Sequence, residues 1–337
     1  MLRSAFTAAA FAAALSGARA QEVTLTLAHF LSPNSLTHAQ FLQPWADVIA
    51  RDSDGRIAVE IFPSMTLGGK PPELYRQLRD GAADMVWTVT GYTPGVFPRV
   101  EVFELPGVHQ NSAAATNVAI QDLKELWEAD FEDVHPILIH VHAGNALHTR
   151  GDCIEGADDL AGLKLRTPTR TGAWLIEAMG AEPVGMPVPA LPQALSTGAV
   201  DGALIPFEIV PPLGVEQLTD CSVTLADDNR FGTAVFMFAM NKDRYESLPP
   251  DLQEIIDAYS GAAIAQEVGA LWDEVELVGK GLQEDSGGPV RQLSSEKSGA
   301  FEAINAEVVD RWIAEANDEG LNAHLLVDSA RSAIAYQ

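Results

Sequence analysis

Two stretches of this chain repeat each other at an offset of 117 residues, from Pro72 to Pro189, and this limits the folds open to it. "PELYRQLRDGAAD", Pro72 to Asp84, and "PALPQALSTGAVD", Pro189 to Asp201, share P-x-L-x3-L-x2-G-A-x-D without a gap. Proline suits a first helical turn, leucines four apart lie on one helix face, and glycine tolerates the left-handed position that closes a helix. A strand follows each copy, "ADMVWTV" in the first and "VDGALI" in the second. The pattern predicts an α/β chain built as two lobes with matching units.

The remaining elements alternate in the same way. "EVTLTLAH" and "IAVEIF" read as strands around the helix "THAQFLQPWADVIARD", and "HPILIHVH" and "GTAVFMFAM" read as buried strands. Such alternation implies mostly parallel sheets. From Asp251 to about Leu282 apolar residues recur at helical spacing. A helix of roughly 32 residues would reach about 48 Å, long enough to span both lobes, with a bend expected near Gly261 or Gly269. The expected division is residues 21–144 with 231–270 in lobe one, and 145–230 with 271–337 in lobe two, the long helix being shared.

The first twenty residues, "MLRSAFTAAAFAAALSGARA", carry an early charge at Arg3, an apolar run, and small residues at Ala18 and Ala20. These are the parts of a secretory leader cleaved near Ala20, so the mature chain is expected in the periplasm, starting at Gln21. Later apolar runs are interrupted by charges or prolines, and direct membrane insertion is not expected. The formal net charge is −26, from 47 acidic against 21 basic residues. The leader holds two of the arginines and no acid, so the mature surface is more acidic still. Such a surface repels nucleic acid and anionic lipid, and an anionic ligand needs a local cation. Cys153 and Cys221 are compatible with one disulfide in an oxidising compartment or with two separate buried thiols.

"DSGGPV", Asp285 to Val290, resembles the nucleophile segment of chymotrypsin-like serine proteases, and "TLAHF", Thr26 to Phe30, faintly resembles their histidine segment. Those proteases are all-β, whereas Ser286 here follows a long helix in an α/β pattern. A hydrolase using Ser286 is therefore the remote alternative, and a glycine turn between helix and strand the simpler reading. His140, His142 and His148 sit close enough in sequence to share a metal, yet read more simply as sheet and loop residues. No cofactor motif or metal site is expected, and no residue stands out as catalytic.

"DLAGLKLRTPTRTGAWLIEAMGAEPVGMPV", Asp159 to Val188, carries the binding signal. Arg166 falls at the end of a short strand with Pro168 opening a helix beyond it. Ligands of open α/β lobes bind at such strand ends, and a guanidinium grips a carboxylate with two parallel hydrogen bonds. A salt bridge within the protein is the competing role for this residue.

"DDLAGLKLRTP", "MGAEPVGMP" and "ALSTGAVDGALIP" resemble the solute receptors of tripartite ATP-independent periplasmic (TRAP) transporters, the DctP-type extracytoplasmic binding proteins. "DGRIAVEIFPSMTLGG", "LRDGAADMVW", "VFELPGV" and "MNKDRYESLPPDLQEII" match in order, so the resemblance covers nearly all the mature chain. It implies a two-lobed binding fold with a long helix, a ligand held between the lobes, a carboxylate-binding arginine at Arg166, and delivery to an ion-gradient-driven membrane permease. A receptor of an ATP-driven transporter would share the two-lobe shape without this ordered motif set.

Departures from the family pattern bear on the ligand. Ile205 stands where many members carry asparagine, and Val89 where sialic-acid receptors carry a polar residue. Trp87, Thr90, Tyr92, Ile205 and Phe207 are expected at the cleft through the matched repeat, with Phe30 nearby and Thr169 beside the helix start. One cation with apolar or aromatic walls suits an apolar or aromatic monocarboxylate. The alternative makes the aromatic residues core and assigns a hydroxylated or dicarboxylic acid to Asn34, Ser35, His38, Thr90 and Thr169. Arg150 and Arg170 are candidates for a second cation.

Overall fold

The computed structural model describes residues 21–337; the expected leader, residues 1–20, lies outside the described residues. The strands are β1 (Val23–His29), β2 (Ile57–Phe62), β3 (Met85–Val89), β4 (Val134–Val141), β5 (Ala146–Thr149), β6 (Lys164–Thr167), β7 (Glu182–Gly185), β8 (Gly202–Ile205), β9 (Cys221–Thr224), β10 (Val235–Asn241) and β11 (Val290–Gln292). One sheet has the order β2-β1-β3-β10-β4 and the other, read from its far edge, β7-β6-β8-β5-β9-β11. The first three strands of each are parallel, and the fourth is antiparallel to both its neighbours. The two repeat strands, β3 and β8, hold the same third place.

The repeat has a physical basis in both copies. Its glycines, Gly81 and Gly198, take φ of 74° and 69°, the left-handed region that costs a side chain about 1 kcal/mol or more. Its aspartates pin the adjacent strand: Asp84 Oδ2 accepts the Thr26 backbone N–H at 2.8 Å, and Asp201 Oδ2 accepts that of Lys164 at 2.9 Å. One short motif therefore closes a helix and sets a strand in each lobe.

Residues 142–145 carry the chain from the first sheet to the second, and 225–234 bring it back. The two crossings are joined, with Asn145 N–H donating to Gly232 C=O at 2.8 Å and Phe231 N–H to Asn145 C=O at 2.9 Å. A third connection is the helix Ala262–Asp285, which packs on the helix Ala113–Asp122 beside the first sheet and on Phe207–Ile209 beside the second. It is shorter than the expected 251–282 helix. Pro250–Ala258 forms a separate helix, and Gly261, at φ 56° and ψ −130°, breaks the run between them. The intact piece reaches about 36 Å.

The helix Ser295–Asp318 packs on Arg170–Ala178 in lobe two, but the last helix, Ala323–Tyr336, packs on Ala113–Asp122. The final residues thus return to lobe one instead of remaining in lobe two as expected. Cys153 and Cys221 form a disulfide across 68 residues of chain, a constraint worth typically 2–4 kcal/mol. Among the described residues no helix is long and apolar enough to cross a membrane.

The isolated motifs have structural uses. Ser286 Oγ donates to the Gln283 carbonyl at 2.6 Å, ending the long helix, and Gly287 turns the chain at φ 90° toward β11. His29 is bound instead to His38, Nε2 to Nδ1, at 2.9 Å. His140 Nε2 accepts the Trp87 indole N–H at 2.9 Å, and His148 Nδ1 lies 2.8 Å from Ser222 Oγ. Burial holds both imidazoles at a pKa of about 3, hence neutral.

Candidate ligand-binding site

Arg166 lies in β6 and is 2 % exposed. Its Nε donates to the Met186 carbonyl at 2.9 Å, which fixes the guanidinium plane. Nη2 is buried with no protein hydrogen-bond partner, and among the described residues no carboxylate comes within ion-pair distance of it. Burial pulls its pKa below the ordinary value while the nearby Tyr92 hydroxyl opposes that shift; a guanidinium nonetheless keeps its charge. The other buried arginine, Arg230, is paired, with Glu276 at 2.5 Å and with Asp228 at 3.2 Å. A buried charge left unpaired is costly, and in this Arg166 differs from Arg230.

Arg166 lines a small cavity of about 40 Å³ between the two sheets. Its walls are largely aromatic and aliphatic. Trp87 stacks on Phe236, ring centroids 4.7 Å apart and 14° from parallel, and lies 5.2 Å from Phe30. Because the Trp87 N–H is committed to His140, the indole offers the cavity an apolar face. Val89, Val188, Ile205 and Ile209 complete the apolar surface.

The polar lining consists of His142 and Asn145, from a crossing, and Glu208, from the turn after β8, besides Arg166. His142 Nδ1 accepts the Gly144 N–H at 2.9 Å, which places the imidazole proton on Nε2. Burial, then the repulsion of His109, keeps its pKa well below the ordinary value. Burial and the adjacent Glu276 push the Glu208 carboxyl up to about 8, so it is uncharged at neutral pH.

The expected residues divide according to strand direction. Phe30, Trp87, Tyr92, Arg166 and Ile205 line the cavity. Phe207, Thr90, Thr169 and Arg150 do not. Phe207 turns away to pack on His148 at 4.9 Å and under Arg230, leaving Glu208 to face inward. Thr90 Oγ1 donates to the Val235 carbonyl at 3.1 Å, and Thr169 Oγ1 caps its helix by accepting the Gly172 N–H at 3.0 Å. Arg150 is at the opposite end of β8, its N–H bonded to the Asp201 carbonyl. The alternative polar set is also elsewhere: Asn34 is exposed, Ser35 Oγ donates to Ser32, and His38 is bound to His29. Arg170 is spent on Glu101, at 2.6 Å.

His142, Asn145, Glu208 and Phe236 were absent from the expected site. His142 and Asn145 arrive through a crossing and Phe236 through the antiparallel strand β10, pairings that local spacing does not disclose, while Glu208 sits in the turn after β8. Only the presence of polar residues at the lobe boundary, "HVHAGN", pointed toward two of them.

Comparison with known proteins bears on this architecture. The sequence profile described as "Bacterial extracellular solute-binding protein, family 7", DctP, matches residues 27–316. A marine metagenome TRAP solute-binding protein, described as specific for aromatic acid ligands and solved with metahydroxyphenylacetate or with 3-hydroxybenzoate, is 40 % identical with a TM-score of 0.91. The match covers 94 % of this chain and 99 % of that one. A TRAP solute-binding protein from Rhodoferax ferrireducens, solved with copurified benzoate, is 37 % identical with a TM-score of 0.90, covering 93 % of this chain and 98 % of its own. The ectoine/5-hydroxyectoine-binding periplasmic protein of Ruegeria pomeroyi is 26 % identical over 83 % of this chain and 82 % of its own. The matched region includes both sheets, both crossings and the arginine strand, and the chain belongs to the DctP family of bacterial extracellular solute-binding proteins, the receptors of TRAP transporters.

Proposed function

We propose that this receptor captures an aromatic monocarboxylic acid in the periplasm and hands it to a TRAP membrane permease. The observation that carries the reading is Arg166: a buried guanidinium with an unpartnered Nη2, set in a cavity walled by Phe30, Trp87 and Phe236. The carboxylate lies against Arg166 with a charge-assisted hydrogen bond, and the ring lies against the aromatic walls. A second carboxylate would find no other cation in the lining, which disfavours dicarboxylic acids. The aromatic acids bound by the metagenome and Rhodoferax proteins support the same class.

The lobes close on the ligand because contacts from both favour the closed state. Ligand-dependent stabilisation of residues 21–337 tests the reading. Benzoate at 100 times its dissociation constant stabilises the fold by about 2.7 kcal/mol, whereas succinate does not. Arg166→Ala weakens benzoate binding about a hundredfold or more, the loss expected when a buried charge loses its partner. Stabilisation by succinate without stabilisation by benzoate, or undiminished affinity in Arg166→Ala, overturns the assignment.

A further inference from the structure

We infer that the cavity has a second recognition point, formed by Asn145 with His142 and Glu208, which selects aromatic acids bearing a ring hydroxyl. The inference rests on the proposed aromatic-acid reading and names the ligand class within it. It starts from Asn145, 5 % exposed, whose side-chain Oδ1 has no hydrogen-bond partner among protein atoms. An unpaired buried polar atom costs about 1–3 kcal/mol. The backbone of Asn145 is held on both sides by Gly232 and Phe231, so the side chain cannot withdraw to solvent by a local shift. Exchanging the amide oxygen and nitrogen would leave a donor in the same place, again calling for a polar group.

The position of Asn145 relative to Arg166 follows from the sheet. Arg166 is in β6, beside β8, and Asn145 directly precedes β5 on the other side of β8. Two strand spacings separate these strands, about 10 Å. The carboxylate-binding cation and the unpaired amide therefore reach the same cavity from different strands, which lets one acid address both through opposite sides of its ring.

Glu208 and His142 supply the complementary chemistry in that cavity. Glu208 is 7 % exposed and its backbone N–H is bound to Glu276 at 2.9 Å. Glu276 is bound to Arg230, whose side chain packs against Gly144, the residue before Asn145. This chain of contacts ties the Glu208 turn to the crossing that bears Asn145, and both side chains line the same cavity. Its carboxyl is uncharged at neutral pH and so donates a hydrogen bond, a use known for carboxylic acids kept neutral by burial. His142 carries its proton on Nε2 and is likewise a donor. A hydroxyl satisfies both kinds of partner, giving its proton to Asn145 and accepting one from Glu208 or His142. A methyl group of similar size satisfies neither, and a second carboxylate would be brought there without a counter-cation.

The test compares 3- and 4-hydroxybenzoate with 3- and 4-methylbenzoate, and with benzoate, by calorimetry on residues 21–337. The wild-type protein is expected to prefer the hydroxyl over the methyl group by tenfold or more at one ring position. In Asn145→Leu that ratio falls to within about threefold of unity. The ratio is taken within each protein, so a general loss of affinity cancels, and the wild-type comparison stands if the variant does not fold. Equal binding of hydroxyl and methyl acids overturns the inference while leaving the aromatic-acid reading in place, provided benzoate binds. A hydroxyl preference unchanged in Asn145→Leu overturns the assignment to Asn145. Failure of every benzoic acid to bind refutes the aromatic-acid reading, and this inference with it.

Discussion

The Tyr92 hydroxyl accepts the backbone N–H of Val188 at 2.9 Å. Tyr92 follows β3 in lobe one and Val188 follows β7 in lobe two, so this bond closes the cavity from above beside Arg166. It also places the phenol where its oxygen meets the guanidinium and its ring meets Phe30, at 5.4 Å. Burial raises the phenol's pKa, with Arg166 acting in the opposite sense, and Tyr92 remains a neutral hydroxyl.

Tyr92→Phe removes the oxygen and preserves the ring. The Val188 N–H is then left unpaired only when the lobes are together, because the bond exists only across them. We expect benzoate affinity to fall about five- to hundredfold, corresponding to about 1–3 kcal/mol, with little change in the melting temperature of the ligand-free protein. An equal loss of stability with and without ligand would show that the bond serves the fold and not closure.

Stability is expected to pass through a maximum near pH 6.5. Glu104 and Glu208 have their pKa raised by burial to about 8, from an ordinary 4.5. The folded protein holds protons that the unfolded chain releases, so their contribution is full below 4.5 and is lost as pH rises to 8. His29, His140 and His148 are lowered to about 3, and His109 to about 4, from 6.5. Their contribution is full above 6.5 and is lost as pH falls. Each unmatched proton changes stability by about 1.4 kcal/mol per pH unit, and four histidines outweigh two glutamates on the acid side. Chemical denaturation should give a midpoint that falls on both sides of pH 6.5 with similar slope, and more steeply below pH 4.5, where the glutamates no longer offset the histidines. In Glu104→Gln the alkaline fall should shrink, since one of its two carboxyls is gone. A midpoint rising steadily to pH 8.5 would contradict the burial of both carboxyls.

The parts of the fold legible in the sequence were those set by short-range pattern. Gly81 with Asp84 and Gly198 with Asp201 each close a helix and fix a strand within a few residues, so the repeat reported the symmetry of the lobes. Arg166 was legible because a cation in a short apolar strand is locally unusual. What was not legible depended on strand direction. β5 runs antiparallel to β8, pairing Ala146 with Ile205 and Thr149 with Gly202, and this brings Asn145 to the cavity while carrying Arg150 to the far end. A parallel β5 would have reversed the two. Phe236 enters because β10 returns from late in the chain to pair with Val89 and His140. At Phe207 and Glu208 the expectation missed by one residue, since a turn after β8 decides which of the two points inward.

The long helix touches each lobe through a glycine, and these contacts allow a controlled perturbation of the site. A Cβ on Gly279 would sit 2.2 Å from the Phe207 carbonyl oxygen and 3.0 Å from the Glu208 nitrogen, both backbone atoms that cannot rotate aside. Gly279→Ala must therefore displace either the helix or the segment that bears Ile205 and Glu208. Gly281 lies two residues on in the same helix with no atom within 4 Å of a built Cβ. There alanine only improves helix propensity, by up to about 1 kcal/mol. The two substitutions add the same methyl group to the same helix, so their difference isolates the contact with Phe207. Gly281→Ala should raise the melting temperature slightly and leave benzoate affinity within twofold. Gly279→Ala should destabilise the fold by an amount typical of overpacking, about 1–3 kcal/mol, with a lowered melting temperature, and weaken benzoate at least tenfold. Similar behaviour of the two variants in calorimetry and thermal denaturation would mean that the helix does not hold the cavity wall through this contact.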